Sequence, residues 1–114
     1  MLTVDFDYFD LQPGHVCVDL GCGEGRHSLT AYLQEDVTVI GLDLSHHDLK
    51  TAQSRIADMA SYNPKGAVDF AQANGLSLPL ADNSVDRLIC SEVLEHIPNY
   101  IGFLEEIDRV LKPD

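Results

Sequence analysis

Residues 17–28 read CVDLGCGEGRHS. A short apolar run ends near an acid, Asp19, and passes into three glycines, Gly21, Gly23 and Gly25, before helix-forming residues begin. A strand that feeds a glycine-rich turn and then a helix is how an α/β chain holds a nucleotide at the carboxyl edge of its sheet. Two ligands fit such a turn: a dinucleotide held by its pyrophosphate, or a ligand that carries no phosphate. The plain alternative is an ordinary strand-to-helix turn with solvated acids.

Outward from this stretch, short apolar runs alternate with segments of helical period, the pattern of βαβ units around a parallel sheet. The first strand is Val16 to Leu20, entered through the Pro13-Gly14 turn. A helix from about Arg26 sets Leu29, Tyr32 and Leu33 on one face. The second strand, Val37 to Leu42, is nearly all apolar, as expected of a strand covered on both sides. Ser45, with Asp48 three residues on, resembles a capping box and opens a helix carrying Leu49, Ala52, Ile56 and Met59 on one face. Asn63-Pro64-Lys65-Gly66 breaks it. Ala67 to Ala71 and Val85 to Cys90 read as the third and fourth strands. A last helix from about Asn99 places Ile101, Leu104, Ile107 and Leu111 on one face and stops before Pro113. Right-handed crossovers bring every strand's carboxyl end to one edge.

The 114 residues make one small domain, 1–114, with 45% hydrophobic residues to fill its core. Nineteen acids against seven Lys and Arg leave a net charge of -12, which repels nucleic acid and anionic membrane and favours neutral or cationic ligands. Cys17, Cys22 and Cys90 are odd in number and lie in or beside apolar runs, the usage of a reduced, cytoplasmic protein. Met1 to Asp10 is acidic, unlike a signal peptide, and no apolar run approaches membrane-spanning length.

The acids decide between the two ligands. The dinucleotide fingerprint is Gly-x-Gly-x-x-Gly, and Gly25 comes one residue early for it. Asp19 and Glu24 would both face a pyrophosphate, and like charges ~4 Å apart repel by about 4 kcal/mol at the effective dielectric of a protein surface. Asp43 closes the second strand, where a carboxylate accepts from ribose hydroxyls, and no lysine stands nearby to balance these acids. A ribose-bearing cation without phosphate satisfies the arrangement, and S-adenosylmethionine is such a ligand.

VDLGCGEGRHS resembles the first motif of the class I S-adenosylmethionine-dependent methyltransferases. VIGLDLS resembles the second, AQANGLSLPLADNSVD the third and VDRLICSEVLEHI the fourth, in the family's order and spacing across nearly the whole chain. The nearest group is the small methyltransferases whose fourth motif reads SEVLEH. The resemblance implies a Rossmann-like, doubly wound α/β fold. This chain would supply the N-terminal four-strand portion, order 3-2-1-4, of a seven-stranded sheet.

The resemblance also implies roles. The backbone at Gly21, Cys22 and Gly23, with Gly25 in the same turn, would pass against the methionine part of the cofactor. Asp19 would hold its ammonium group through water and support the turn. Asp43 would take both ribose hydroxyls, with Leu44 packed on the adenine. Asn74 stands where the family usually has Asp and would accept from the adenine amino group through its carbonyl, more weakly than a carboxylate. The Gly75 amide would complete adenine recognition, and Ser91 would offer its carbonyl to the ammonium group.

Methyl transfer from a sulfonium needs alignment first, and a base only where the acceptor must lose a proton. In EVLEH, residues 92–96, Glu92, Glu95 and His96 fall at i, i+3, i+4. Glu95 and His96 are the candidate catalytic pair; His96 has a suitable pKa for a base and equally suits a packing role at a helix start. Two carboxylates and an imidazole also suit Mg²⁺ or Mn²⁺, as in the small-RNA 2′-O-methyltransferases. The further histidine of that set would lie beyond Asp114 and the acidic surface opposes RNA, so no metal is expected. His27 and the His46-His47 pair read as structural, and Tyr8 and Phe9 as cofactor cover or as packing under the sheet. The acceptor is expected to be a small molecule, not nucleic acid or membrane. The family's fifth strand would follow RVLKPD, residues 109–114, so the chain is expected to be a fragment with little or no turnover of its own. Its exposed fourth-strand edge would pair with a second copy as a homodimer. A module that binds the cofactor without catalysis is the alternative.

Overall fold

The computed structural model describes residues 10–34, 36–59, 66–90 and 100–113. Among the described residues seven elements follow in order: β1 (Val16–Leu20), α1 (Arg26–Gln34), β2 (Thr38–Asp43), α2 (His46–Met59), β3 (Ala67–Gln72), β4 (Arg87–Ile89) and α3 (Tyr100–Val110). The strands form one parallel sheet in the order β3-β2-β1-β4. That is the order implied by the four motifs. The registers Asp19↔Gly41 and Asp43↔Gln72 bring the ends of β1, β2 and β3 together at one edge.

Alternation along β1 distributes its side chains between the two faces. Cys17 packs with Ala31, Tyr32, Val37 and Val39 on the α1 side. Val18 and Leu20 pack with Leu42, Leu78, Val85, Phe103 and Val110 on the α3 side. A third cluster, Cys22, Leu29, Leu49, Ala52 and Phe70, closes α2 onto the sheet beneath the glycine turn. Burying each such aliphatic or aromatic side chain contributes about 1.5–3 kcal/mol, which is what holds short helices of this kind in place. The expected cap is present: the Asp48 amide donates to Ser45 Oγ at 3.2 Å.

Several sequence expectations shift. α3 does not bury the face of Ile101 and Leu104; these are 58% and 45% exposed, and Phe103, Ile107 and Val110 face the core instead. Leu111 lies past the helix, where it bridges Val85 in parallel. Leu33 of α1 is exposed rather than buried. The fourth strand is only Arg87–Ile89, because Val85 is taken by that bridge and by the Lys112 amide at 2.9 Å. β2 runs from Thr38 to Asp43, one residue later at both ends than the apolar run, and β3 extends one residue further, to Gln72; Asp43 closes its strand as expected. Tyr8, Phe9, Ser91, Glu92, Glu95 and His96 lie outside the described residues. Among the described helices none is long and apolar enough to cross a membrane. All three cysteines are free thiols, and burial pushes Cys17 and Cys22 up to about 12.

Candidate functional site

The glycine turn is tied to the end of β2 by its own backbone. The Gly21 and Cys22 amides both donate to Leu42 O, at 2.7 and 3.0 Å, and the Gly25 amide donates to Cys22 O at 3.0 Å. Gly21, Gly23 and Gly25 all have positive φ, at 75°, 55° and 88°, a conformation that costs other residues. The glycines differ in what a side chain would meet. A Cβ on Gly25 would stand 3.0 Å from both Ala52 Cβ and Phe70 Cζ, inside the core. A Cβ on Gly23 would meet nothing within 4 Å. Gly23 therefore faces open space, and Gly25 lets the turn pack down onto α2 and β3.

Asp43 sits beside Gly23. Its Oδ2 accepts from the Gly23 amide at 2.7 Å and its Oδ1 from the Ser45 amide at 2.8 Å. Each carboxylate oxygen retains a second lone pair, so the group is fixed in orientation and still able to accept two hydroxyls. Asp19 lies differently. It is 2% exposed, shares the α1-facing side of β1 with Cys17, and accepts from Ser28 Oγ at 2.7 Å. Burial raises its pKa, against the Ser28 hydrogen bonds that lower it. Asp19 thus braces the turn from below, and Ser28, the last residue of the opening stretch, is the partner that sequence reasoning missed.

The next stations along the edge are Leu44 and the Asn74–Leu76 turn. Leu44 is 65% exposed immediately after Asp43, an apolar platform at the sheet edge. Its carbonyl accepts from Gln72 Nε2 at 2.9 Å, and the Ala73 amide donates to Asp43 O at 3.0 Å, which joins β3's end to the same station. Asn74 Oδ1 accepts the Leu76 amide at 2.9 Å. The Gly75 amide has no acceptor among the described residues. Gly75 lies against Phe103 of α3: a Cβ there would overlap ring atoms Cε2 and Cδ2. Phe103 is signalled by no motif in the sequence, and the exposed Leu76 lies inside the third motif without a role assigned to it there.

The electrostatic expectation needs one correction. The turn's acids do have a nearby cation, an arginine rather than a lysine: Arg55 of α2 pairs with Glu24 at 3.2 Å and donates to its backbone carbonyl at 3.2 Å. Both side chains are about half exposed, so the pair is weak. A groove of about 650 Å³ opens on the α1–α2 side of the turn, lined by Gly21, Gly23, Glu24, Arg26, Thr30 and Arg55. It does not reach Asp43, Leu44 or Asn74, which lie on the other flank of the turn. Among the described residues no three His, Cys, Asp or Glu side chains converge as a metal site.

Residues 18–114 match the family model described as a methyltransferase domain. The chain belongs to that family. It is 32% identical over 108 residues to methyltransferase GfsG of Streptomyces halstedii, covering 95% of this chain and 38% of that protein. It is 35% identical over 100 residues to O-methyltransferase rstn1 of Aspergillus nomiae, covering 88% and 43%. Among solved structures, a putative S-adenosyl-L-methionine-dependent methyltransferase from Methanococcus maripaludis superposes with a TM-score of 0.82 at 27% identity, over 94% of this chain and 47% of that one. The chain spans less than half the length of the curated relatives it matches. The methyltransferase domain is therefore represented here by its four-stranded portion, with the glycine turn, Asp43 and the Asn74 turn along one edge.

Proposed function

We propose that this chain is the cofactor-binding part of an S-adenosylmethionine-dependent methyltransferase that acts on a small-molecule acceptor. The observation that carries the reading is the row of stations along one edge: an open glycine cradle at Gly23, a fixed carboxylate at Asp43, and an apolar platform at Leu44 beside Asn74. These match, in order, the amino-acid part, ribose and purine of the cofactor. The acids at positions 19 and 43 favour its cationic groups and disfavour a pyrophosphate. The names of the relatives, one of them an O-methyltransferase, support a small acceptor.

In this reading the cofactor supplies an activated methyl group on a sulfonium. Gly21, Cys22 and Gly23 would hold the amino-acid part by close backbone approach, with Asp19 bracing the turn and favouring the ammonium group through water. The Ser91 carbonyl would be a further acceptor for that group. Asp43 would fix the ribose through both oxygens, and Leu44, Asn74 and the Gly75 amide would receive the base. His96 or Glu95 would take the proton of an acceptor that must lose one. The main contribution of the chain is alignment, worth several kcal/mol in reactions of this kind.

Incubation with methyl-labelled S-adenosylmethionine and a panel of small hydroxyl, amine and carbon acceptors tests the transfer. Label recovered in one acceptor class, in slow turnover, is the expected result. A chain that holds the cofactor and passes label to none of them is a binding module, and the transfer reading then fails for this chain.

A further inference from the structure

Segment 74–82 leaves β3 as neither strand nor helix, yet it carries the base-side residues. One backbone bond of its own, Ser77 N–H to Asn74 O at 3.0 Å, closes the first turn. The Leu78 side chain is buried with Val18, Leu20 and Leu42 of the sheet, and further hydrogen bonds come from α3. Glu106 Oε2 accepts the Leu78 amide at 2.6 Å, and Arg109 Nη2 donates to Leu78 O at 3.1 Å. Arg109 also donates through Nε to Glu106 Oε1 at 2.6 Å, through Nη2 to Oε2 at 3.0 Å, and through Nη1 to Asp82 Oδ1 at 2.7 Å. One side-chain pair thus satisfies both backbone groups of Leu78, as a neighbouring strand would. The Asn83 amide then donates to Arg109 O at 2.9 Å, so the far end of the segment is fastened to the same residue. Phe103, three residues before Glu106, lies against Gly75 at the near end.

We propose that Glu106 and Arg109 are positioning residues for the purine side of the cofactor site: by clipping Leu78 to α3 they hold the Asn74–Leu76 turn in the shape that receives the base. The inference rests on the cofactor reading above. Neither residue touches the ligand; both act through Leu78. The guanidinium of Arg109 and the Leu78 amide hold the Glu106 carboxyl down at about 2, so the clip stays ionised at neutral pH. The pair is partly buried, Arg109 33% and Glu106 17% exposed, so it contributes to stability as well as to the geometry of the segment.

The test uses this chain with S-adenosylhomocysteine as probe, and two variants. Arg109→Leu removes both the donor to Leu78 O and the partner that orients Glu106. Glu106→Gln keeps a weaker acceptor for the Leu78 amide. Amide exchange of Leu78 reads the clip without ligand, with Val18 and Val39 as strand controls. Arg109→Leu should exchange Leu78 faster while the two strand amides stay as in the wild type, and should bind the probe about tenfold more weakly, the scale of losing a charge-assisted clip. Glu106→Gln should show the same pattern at about threefold, and carries both readouts if Arg109→Leu does not fold. A general loss of structure would instead speed all three amides together, and that result overturns the positioning role. Wild-type affinity in both variants overturns it too. A wild-type chain that takes up no probe overturns the cofactor reading and the base-side role with it, and Leu78 exchange tells that failure from the absence of a clip.

Discussion

Gly23 and Gly25 stand two residues apart in the same turn, and alanine at each should fail in a different way. Both have positive φ, 55° and 88°, where a Cβ costs about 1 kcal/mol. At Gly23 the new methyl meets nothing within 4 Å, so that is nearly the whole loss of stability. In a chain of this size the melting temperature should fall by roughly 4 °C. At Gly25 the methyl stands 3.0 Å from Ala52 Cβ and Phe70 Cζ, both buried and unable to retreat. Overpacking of that kind adds about 1–3 kcal/mol, for a total of about 2–4 kcal/mol. Binding should show the reverse order. Gly23→Ala fills the cradle and should weaken S-adenosylhomocysteine binding at least about tenfold, the loss expected when a close approach is blocked. The folded fraction of Gly25→Ala should bind within about threefold of the wild type, since its methyl points into the core. Thermal unfolding by circular dichroism and calorimetric titration give both numbers. A Gly23→Ala chain that binds like the wild type would refute the assignment of the cradle.

Asp43→Asn leaves one of two backbone donors, Gly23 or Ser45, facing an amino group. It should cost about 1–3 kcal/mol in urea unfolding together with most of the cofactor affinity. The Asn74 carbonyl accepts the Leu76 amide and keeps one lone pair free. Asn74→Asp supplies a second oxygen for the adenine amino group and should tighten binding several-fold by titration; equal or weaker binding would count against this placement of the base. Gly75→Ala should destabilise by about 1–3 kcal/mol through its overlap with Phe103. Gly75→Ala combined with Phe103→Leu should fall short of additivity by about 1 kcal/mol in a double-mutant cycle, and full additivity would remove the contact from the account. Glu106 ordinarily titrates at 4.5 and in the folded chain at about 2. Protons therefore bind the unfolded chain first, and the clip's contribution is whole above pH 4.5 and lost as pH falls toward 2. Urea unfolding across that window should decline more steeply for the wild type than for Arg109→Leu, and parallel declines would contradict the pairing.

The parts legible in the sequence are those whose physics is local. β2, covered on both faces, shows as a nearly all-apolar run, and the glycine turn and Asp43 stand next to the strands they close. α3 was legible as a helix but not in its rotation. Ile101, Leu104 and Ile107 make one periodic stripe and Phe103, Ile107 and Val110 another, and only the Val85–Leu78 cluster on the sheet chooses the second. The fourth strand is shorter than its apolar run because Leu111 folds back to bridge Val85, a contact the sequence does not show. Asp19 gave its position but not its partner: the register of β1 against α1 turns it to Ser28. The Glu106 and Arg109 contacts to Leu78 span 28 and 31 residues, and no short motif encodes a pairing at that distance.

The central claim is that the edge formed by the glycine turn, Asp43 and the Asn74 turn holds S-adenosylmethionine rather than a dinucleotide. Calorimetric titration of the chain with S-adenosylmethionine, S-adenosylhomocysteine and NAD⁺ tests it most directly. The account predicts saturable heat at one site with the first two and none with NAD⁺. No heat with either sulfur ligand, or NAD⁺ binding in competition with them at similar affinity, would contradict it.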